Sequence, residues 1–224
     1  MIAIIDYKAG NLASVSNAMD RLKAAYRITN KISVLEDADA VIFPGVGHAG
    51  SAMRDLQANG LDTWLRQTRK PVLGICLGMQ LLYEDTTEGP TRTLGIVPGR
   101  LKRFLPEKGK VPHMGWNTVL PAGTDPAVEA PPPSGDPSPD LGQTHPLFNN
   151  ITPGTHFYHV HSYYAPVTGH TIAQSRYSEP FTAAVAFNNF MGVQFHPEKS
   201  GIPGQQVLQN FVDLVYGRQP MNGG

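Results

Sequence analysis

The sequence predicts an α/β fold of three layers: a mostly parallel central sheet flanked by helices, with a smaller region of antiparallel strands. Three observations carry this expectation. Over the first third of the chain, short apolar runs alternate with segments whose apolar residues recur every three or four positions, strand and helix by turns. Three of these runs end in loops rich in glycine or polar residues, at 6–11, 44–47 and around Cys76, and in a parallel sheet the carboxyl ends of strands share one rim. Beyond residue 94 the helical spacing gives way to short strand-like runs and turns.

Residues 2–7, IAIIDY, read as an apolar first strand running into the polar loop Lys8, Ala9, Gly10, Asn11. Leu12, Val15, Met19, Leu22 and Tyr26 then recur at helical steps, the stripe of an amphipathic helix. A second strand is expected near 26–29 and a third at 40–43, the latter ending in Pro44, Gly45, Val46 and Gly47. Helical spacing at 49–58 and 61–69 leads to PVLGI, residues 71–75, which has the length and flanks of a buried strand, and LGMQLLYE after it is helical in spacing. Strand-like runs at 94–105 and 111–119 bracket a lysine-rich turn at 107–110. Residues 121–146 hold eight of the chain's twenty prolines and almost no apolar periodicity, so they read as a surface insertion. Runs at 156–167, 171–177 and 181–187 follow, and Asn188 and Asn189 suit a hairpin turn into 190–195. The last helix, from about Pro203 to Tyr216, has proline at its start and Gly217 at its end. One domain is expected over 1–217, with a short tail at 218–224.

The 18 basic and 18 acidic side chains cancel, and no run of lysines or arginines marks a surface for nucleic acid or lipid. No apolar segment approaches the ~18 residues of a membrane helix. Partners are therefore expected among small molecules and proteins, with no nucleic acid and no membrane. The chain opens directly on strand-like residues without a secretory leader pattern, and its single cysteine cannot form an internal disulfide. Both agree with a reducing, cytoplasmic setting.

Cys76 stands at the join of strand and helix, flanked by Gly74 and Gly78. This is the G-x-C-x-G form of a nucleophile elbow, a tight turn that pushes the reactive side chain out of the sheet. The thiolate is the reactive form, and a helix N-terminus favours an anion. From the pentapeptide alone, Cys76 serves equally well as a small core residue. A cysteine nucleophile needs a general base. His196 is the best placed candidate, because Pro197 biases it toward extended geometry and so keeps His196 and Glu198 on one face at i, i+2. Glu198 would hold one ring nitrogen while the other moves the thiol proton. His156, His159 and His161 suggest a metal, but only the last two share a strand face and no cysteine or acidic cluster completes a ligand set, so no metal is expected. The glycines of 44–47 let backbone N–H groups face the rim, where acyl transfer needs donors for negative charge developing on oxygen, and the N–H of Leu77 is a second donor.

With these residues in hand, G-I-C-L-G-M-Q at 74–80, P-G-V-G at 44–47 and H-P-E at 196–198 resemble the class I, triad-type glutamine amidotransferases, whose fold is flavodoxin-like. More narrowly, D-Y-x-x-G-N at 6–11, P-H-M-G-W-N at 112–117, H-S-Y-Y at 161–164, F-T-A-A-V at 181–185 and G-V-Q-F-H-P-E-K-S-G at 192–201 are similar to glutaminase subunits of imidazole glycerol phosphate synthases. The resemblance runs from Met1 to about Tyr216, and the motifs are several, ordered and correctly spaced. It implies hydrolysis of L-glutamine to glutamate and ammonia through a γ-glutamyl thioester on Cys76, with His196 moving protons, Glu198 orienting it, and backbone N–H groups of Val46 and Leu77 holding the oxyanion. It implies glutamine binding by Gly45, Gly47, Gln80, His161, Ser162 and Tyr163, and a subunit interface that includes Asn11, Trp116, Asn117 and Lys199. No cofactor is implied. The implied partner is a cyclase subunit with a (β/α)8 barrel, forming a heterodimer in which ammonia is consumed to make imidazole glycerol phosphate and an aminoimidazole carboxamide ribotide. Two features depart from the family pattern: the proline-rich stretch, where relatives have a shorter connection, and Lys8, where they often carry glycine.

Overall fold

The computed structural model describes residues 1–8, 11–124 and 145–217. Most of the proline-rich stretch and the whole 218–224 tail therefore lie outside the described residues. The first half of the chain alternates strand and helix: β1 (Ile2–Ile5), α1 (Leu12–Arg21), β2 (Tyr26–Thr29), α2 (Ile32–Asp37), β3 (Ala40–Gly45), α3 (Ala49–Ala58), α4 (Leu61–Gln67), β4 (Val72–Cys76) and α5 (Leu77–Leu81). Two-residue strands β5 (Asp85–Thr86) and β6 (Thr91–Arg92) precede β7 (Arg100–Arg103) and β8 (His113–Pro121). The chain closes with β9 (Thr155–His161), β10 (Tyr163–Tyr164), β11 (Thr171–Arg176), β12 (Pro180–Phe187), β13 (Phe190–Val193) and α6 (Gly201–Tyr216).

Among the described residues, nine strands form one sheet in the order β2-β1-β3-β4-β13-β12-β11-β8-β9. The four pairings from β2 to β13 are parallel, and the four from β13 to β9 are antiparallel. A second, four-stranded sheet orders β10-β7-β5-β6. Side chains alternate across a strand, and here both faces are apolar: Ile2, Ile4, Ala40, Ile42, Leu73 and Ile75 pack with α1 and α6, while Ala3, Ile5, Val41, Phe43 and Val72 pack with α2, α3 and α4. That double burial produces the three layers. It also gathers the carboxyl ends of β1, β3, β4 and β13 at one rim, because those four strands run the same way.

Several expectations need correction. The first helix ends at Arg21, and Tyr26 belongs to β2, where it pairs with Ile2. Helix α2 has no counterpart among the expected elements; at six residues with only Leu35 buried it carries almost no periodic signal. The run 94–105 contains a strand only at Arg100–Arg103. The run 156–167 breaks at Ser162, with β9 joining the large sheet and β10 turning to pair with β7 in the small one.

A candidate active site at the rim of the parallel strands

The elbow is built by β4 and α5. Cys76 has φ 52° and ψ −108°, a conformation that a residue with a Cβ rarely adopts. The flanking glycines are required by packing. A Cβ on Gly78 would lie 1.8 Å from the carbonyl oxygen of Phe43, and one on Gly74 would lie 2.7 Å from the backbone nitrogen of Met79. The first turn of α5 can thus press against β3 and β4, which fixes where the thiol points.

The thiol opens into a cleft of about 280 Å³. Of the residues expected at the site, Val46, Gly47, Leu77, Gln80, His161, Ser162, Tyr163 and His196 all line this cleft with Cys76. Residues brought from β3, β4, the β9–β10 junction and the end of β13 therefore meet in one place. Glu198 sits behind His196 rather than on the cleft wall, and its Oε1 lies 2.8 Å from Nδ1 of His196. The route to that contact differs from the one expected. Pro197–Lys199 is a turn of 3-10 helix rather than an extended strand, with Pro197 at its first position and only His196 extended. The tight turn, not strand alternation, brings the carboxylate onto the ring.

Glu198 accepts that contact on Oε1, so His196 presents Nδ1–H to it and offers Nε2 toward Cys76. Nε2 is buried and has no partner of strict hydrogen-bonding geometry. Burial works to lower the ring's pKa, but the charge and polar contact of Cys76, followed by those of Glu198, outweigh it and raise the ring to about 10. The site thus favours an imidazolium between the Cys76 sulfur and the Glu198 carboxylate. Backbone contacts fix the ring: the His196 N–H donates to the Tyr158 carbonyl at 2.9 Å, and the Ser200 hydroxyl, fully buried, donates to the His196 carbonyl at 2.7 Å.

Other expected residues also make contacts within the chain. The Asn11 side-chain amide donates to Glu198 Oε1 at 3.3 Å, which makes it a brace of the carboxylate. Gly45 does not line the cleft; the Tyr7 hydroxyl and the backbone of Gly78 crowd it so closely that a side chain would collide. Gln80 uses its amide nitrogen on the Tyr163 carbonyl at 2.8 Å and on Gln194 Oε1 at 3.0 Å, leaving only its oxygen for a ligand. His161 presents Nδ1–H to the Tyr163 carbonyl at 2.8 Å, so its Nε2 accepts from His113 Nδ1 at 3.3 Å, and both nitrogens are engaged. Asn117 is likewise committed within the chain, donating to the Arg176 carbonyl at 2.9 Å. Trp116, 56% exposed, and Lys199, also exposed, remain open to a partner.

Gln194, Glu88, Pro112 and Val160 were not singled out from the sequence. Gln194 is fully buried and places its amide nitrogen 3.9 Å from the Cys76 sulfur. It stands two residues before His196, a spacing that puts two side chains of an extended segment on one face. Glu88 accepts from the Ala49 N–H at 2.6 Å and so anchors the helix that follows the 44–47 loop; nothing in its local sequence signals this. The histidine trio also changes: His156 is exposed, and His113 from the neighbouring strand joins His159 and His161 instead.

Comparison with known proteins adds an independent finding. The profile of the family described as "Glutamine amidotransferase class-I" matches residues 3–214. A Bacteroides thetaiotaomicron protein named imidazole glycerol phosphate synthase subunit HisH is 44% identical over 216 residues, covering 95% of this chain and 99% of that protein. A Maridesulfovibrio salexigens protein of the same name is 41% identical, covering 95% and 96%. Among solved structures, a glutamine amidotransferase superposes with a TM-score of 0.68 at 15% identity, covering 96% of this chain and all of that one. PurLQS from Thermotoga maritima gives 0.62 at 16% identity, covering 96% of this chain and 98% of that one. At such identity the structural matches establish the fold.

Proposed function

Since this chain belongs to the class-I glutamine amidotransferase family, we propose that it is the glutaminase subunit of an imidazole glycerol phosphate synthase, supplying ammonia for histidine biosynthesis. The observation that carries the reading is the convergence of Cys76 and His196 on one cleft, with Glu198 on the far side of the imidazole.

In this mechanism the Cys76 thiolate attacks the γ-carboxamide carbon of glutamine. The carbonyl oxygen becomes an oxyanion, held by backbone N–H groups of Val46 and Leu77 at the cleft wall. The imidazolium of His196 gives its proton to the departing nitrogen, and ammonia leaves as the γ-glutamyl thioester forms. The now neutral ring takes a proton from water, which attacks the thioester carbon. Collapse of the second tetrahedral species releases glutamate and regenerates the thiolate–imidazolium pair. Glu198 keeps the ring oriented and favours its cationic form, and Asn11 steadies the carboxylate. Gln194 directs an N–H toward the sulfur and so supports the anion. None of these steps calls on a cofactor.

The partner in this reading is a cyclase subunit with a (β/α)8 barrel, meeting the exposed side chains of Trp116 and Lys199 near the site, in the cytoplasm. No described helix is long and apolar enough to cross a membrane. The decisive experiment mixes the protein with such a cyclase and its phosphoribulosyl carboxamide nucleotide, and follows glutamate and imidazole glycerol phosphate together. Equal yields of the two, both abolished by Cys76→Ala, are expected. Glutamate release that ignores the cyclase would point to another ammonia acceptor, and no release at all would remove the glutaminase reading.

A further inference from the structure

The geometry points to a second site: His113, His159 and His161 form a three-histidine pocket for a divalent transition metal of the zinc type, adjoining the thiol cleft, whose wall His161 shares. Its construction follows from register. Strands β8 and β9 are antiparallel, with His113 directly opposite His161 and Gly115 opposite His159. His159 and His161 are two residues apart and so share a face, and the cross-strand pairing puts His113 on that same face. A His-x-His pair on one strand completed by a histidine of its neighbour presents three imidazoles to one point.

The distances agree. One ring nitrogen from each histidine lies within 4.8 Å of those of the other two. The ring centroids of His113 stand 5.1 Å from those of both His159 and His161, and the latter two are 5.5 Å apart. Tetrahedral zinc with Zn–N bonds of about 2.0–2.1 Å needs nitrogens roughly 3.3 Å apart, so modest side-chain rotations close the set. All three histidines are buried, and around them stand the aromatic rings of Phe104, Tyr177, Phe181 and Phe195. Such a set of neutral nitrogens suits zinc and its neighbours, and does not suit calcium or magnesium, which demand oxygen.

Two further features mark the pocket as more than packing. His159 is completely buried with neither ring nitrogen partnered, although a neutral imidazole always carries one N–H and one lone pair. A metal would engage the lone pair. His161 is already oriented as a ligand, because its Nδ1–H is held by the Tyr163 carbonyl and its Nε2 lone pair faces the centre, the usual outer contact of a metal-bound imidazole. Loading asks one change of His113: the proton now on Nδ1 moves to Nε2, which gives up the contact it accepts from the Asn117 amide nitrogen at 3.4 Å. The count of protons on the three rings is then unchanged, and burial already disfavours their cationic forms.

The test uses the full chain carrying Cys76→Ala, so that the thiol cannot ligate, stripped with a chelator and titrated with Zn²⁺ by calorimetry and with Co²⁺ by absorption. One equivalent should bind, and cobalt should show visible bands of tetrahedral type without a thiolate charge-transfer band. Adding His159→Phe, whose ring suits a site between Phe181 and Phe195, should weaken binding at least about 100-fold, while adding His156→Ala should change it less than about twofold. Should the phenylalanine variant fail to fold by circular dichroism, His159→Gln takes its place with the same expectation. Failure of the Cys76→Ala chain to bind either ion, or undiminished binding after loss of His159, overturns the assignment. In the wild-type background, His159→Phe should leave glutaminase activity with the cyclase unchanged, which keeps this test distinct from that of the proposed reaction.

Discussion

Replacing Cys76 by alanine and by glycine gives two variants that both lack the thiol, so the difference between them reports on the backbone. At an ordinary buried position, glycine is less stable than alanine by about 0.5–1 kcal/mol through chain entropy, and by up to about 0.8 kcal/mol more through the lost methyl group. The sum is roughly 1.5 kcal/mol against glycine. At Cys76 the backbone sits at φ 52° and ψ −108°, and a residue with a Cβ pays about 1–3 kcal/mol to stay there. Glycine is relieved of that strain. Set against each other, the two contributions place Cys76→Gly between about 0.5 kcal/mol less stable and about 1.5 kcal/mol more stable than Cys76→Ala. Urea unfolding at pH 7, followed by the fluorescence of Trp64 and Trp116, measures this directly, provided that the two variants share one m-value. A glycine variant less stable than the alanine variant by the ordinary amount, about 1.5 kcal/mol, would show that the elbow is not strained, and the account of why Cys76 projects from the sheet would fail.

Other consequences can be checked in the same protein. His196 has its pKa raised to about 10, so its contribution to stability is complete below the unfolded value near 6.5 and is lost as pH climbs through about 10. Glu198→Gln weakens the hold on the proton and should flatten the decline of the urea midpoint between pH 6.5 and 10; parallel declines in the two proteins would contradict this. Gln194→Leu removes the N–H near the Cys76 sulfur and strips Gln80 of an acceptor, so it should cost about 1–3 kcal/mol of stability and slow Cys76 alkylation by iodoacetamide at pH 7. Lys8 holds φ 71°, the left-handed region, and Lys8→Gly should stabilise the chain by about 0.5 kcal/mol once the entropy of glycine is set against the relieved strain. A destabilisation of similar size would mean that the lysine side chain contributes something the backbone does not reveal.

Lys8 also illustrates what can be read before a structure exists. The family resemblance leads one to expect glycine there, and the positive φ supplies a physical reason. The parallel half of the sheet is legible because each of β1, β3 and β4 is apolar on both faces and is followed by a polar or glycine-bearing loop, a local signal. Cys76 is legible for the same reason, since Gly74 and Gly78 sit beside it in sequence. The region 85–105 invites over-reading, because its strands are two to four residues long and hydrophobic spacing cannot bound elements so short. His196 pairs with Glu198 as expected but by a different means: Pro197 does favour extension of the residue before it, yet it also opens a 3-10 turn after it. Spacing alone cannot join His113 to His161 at all, because 48 residues and a strand register separate them.

Strand β13 lies fifth of nine in the large sheet, although it is the last strand in the chain. Ribosomes deliver it late, after both of its neighbours. Without residues 190–193 the large sheet divides in two, and the edges of β4 and β12 they cover would be open to pairing with another chain. The same insertion carries His196 to the thiol. Placement of β13 thus completes both the sheet and the cleft.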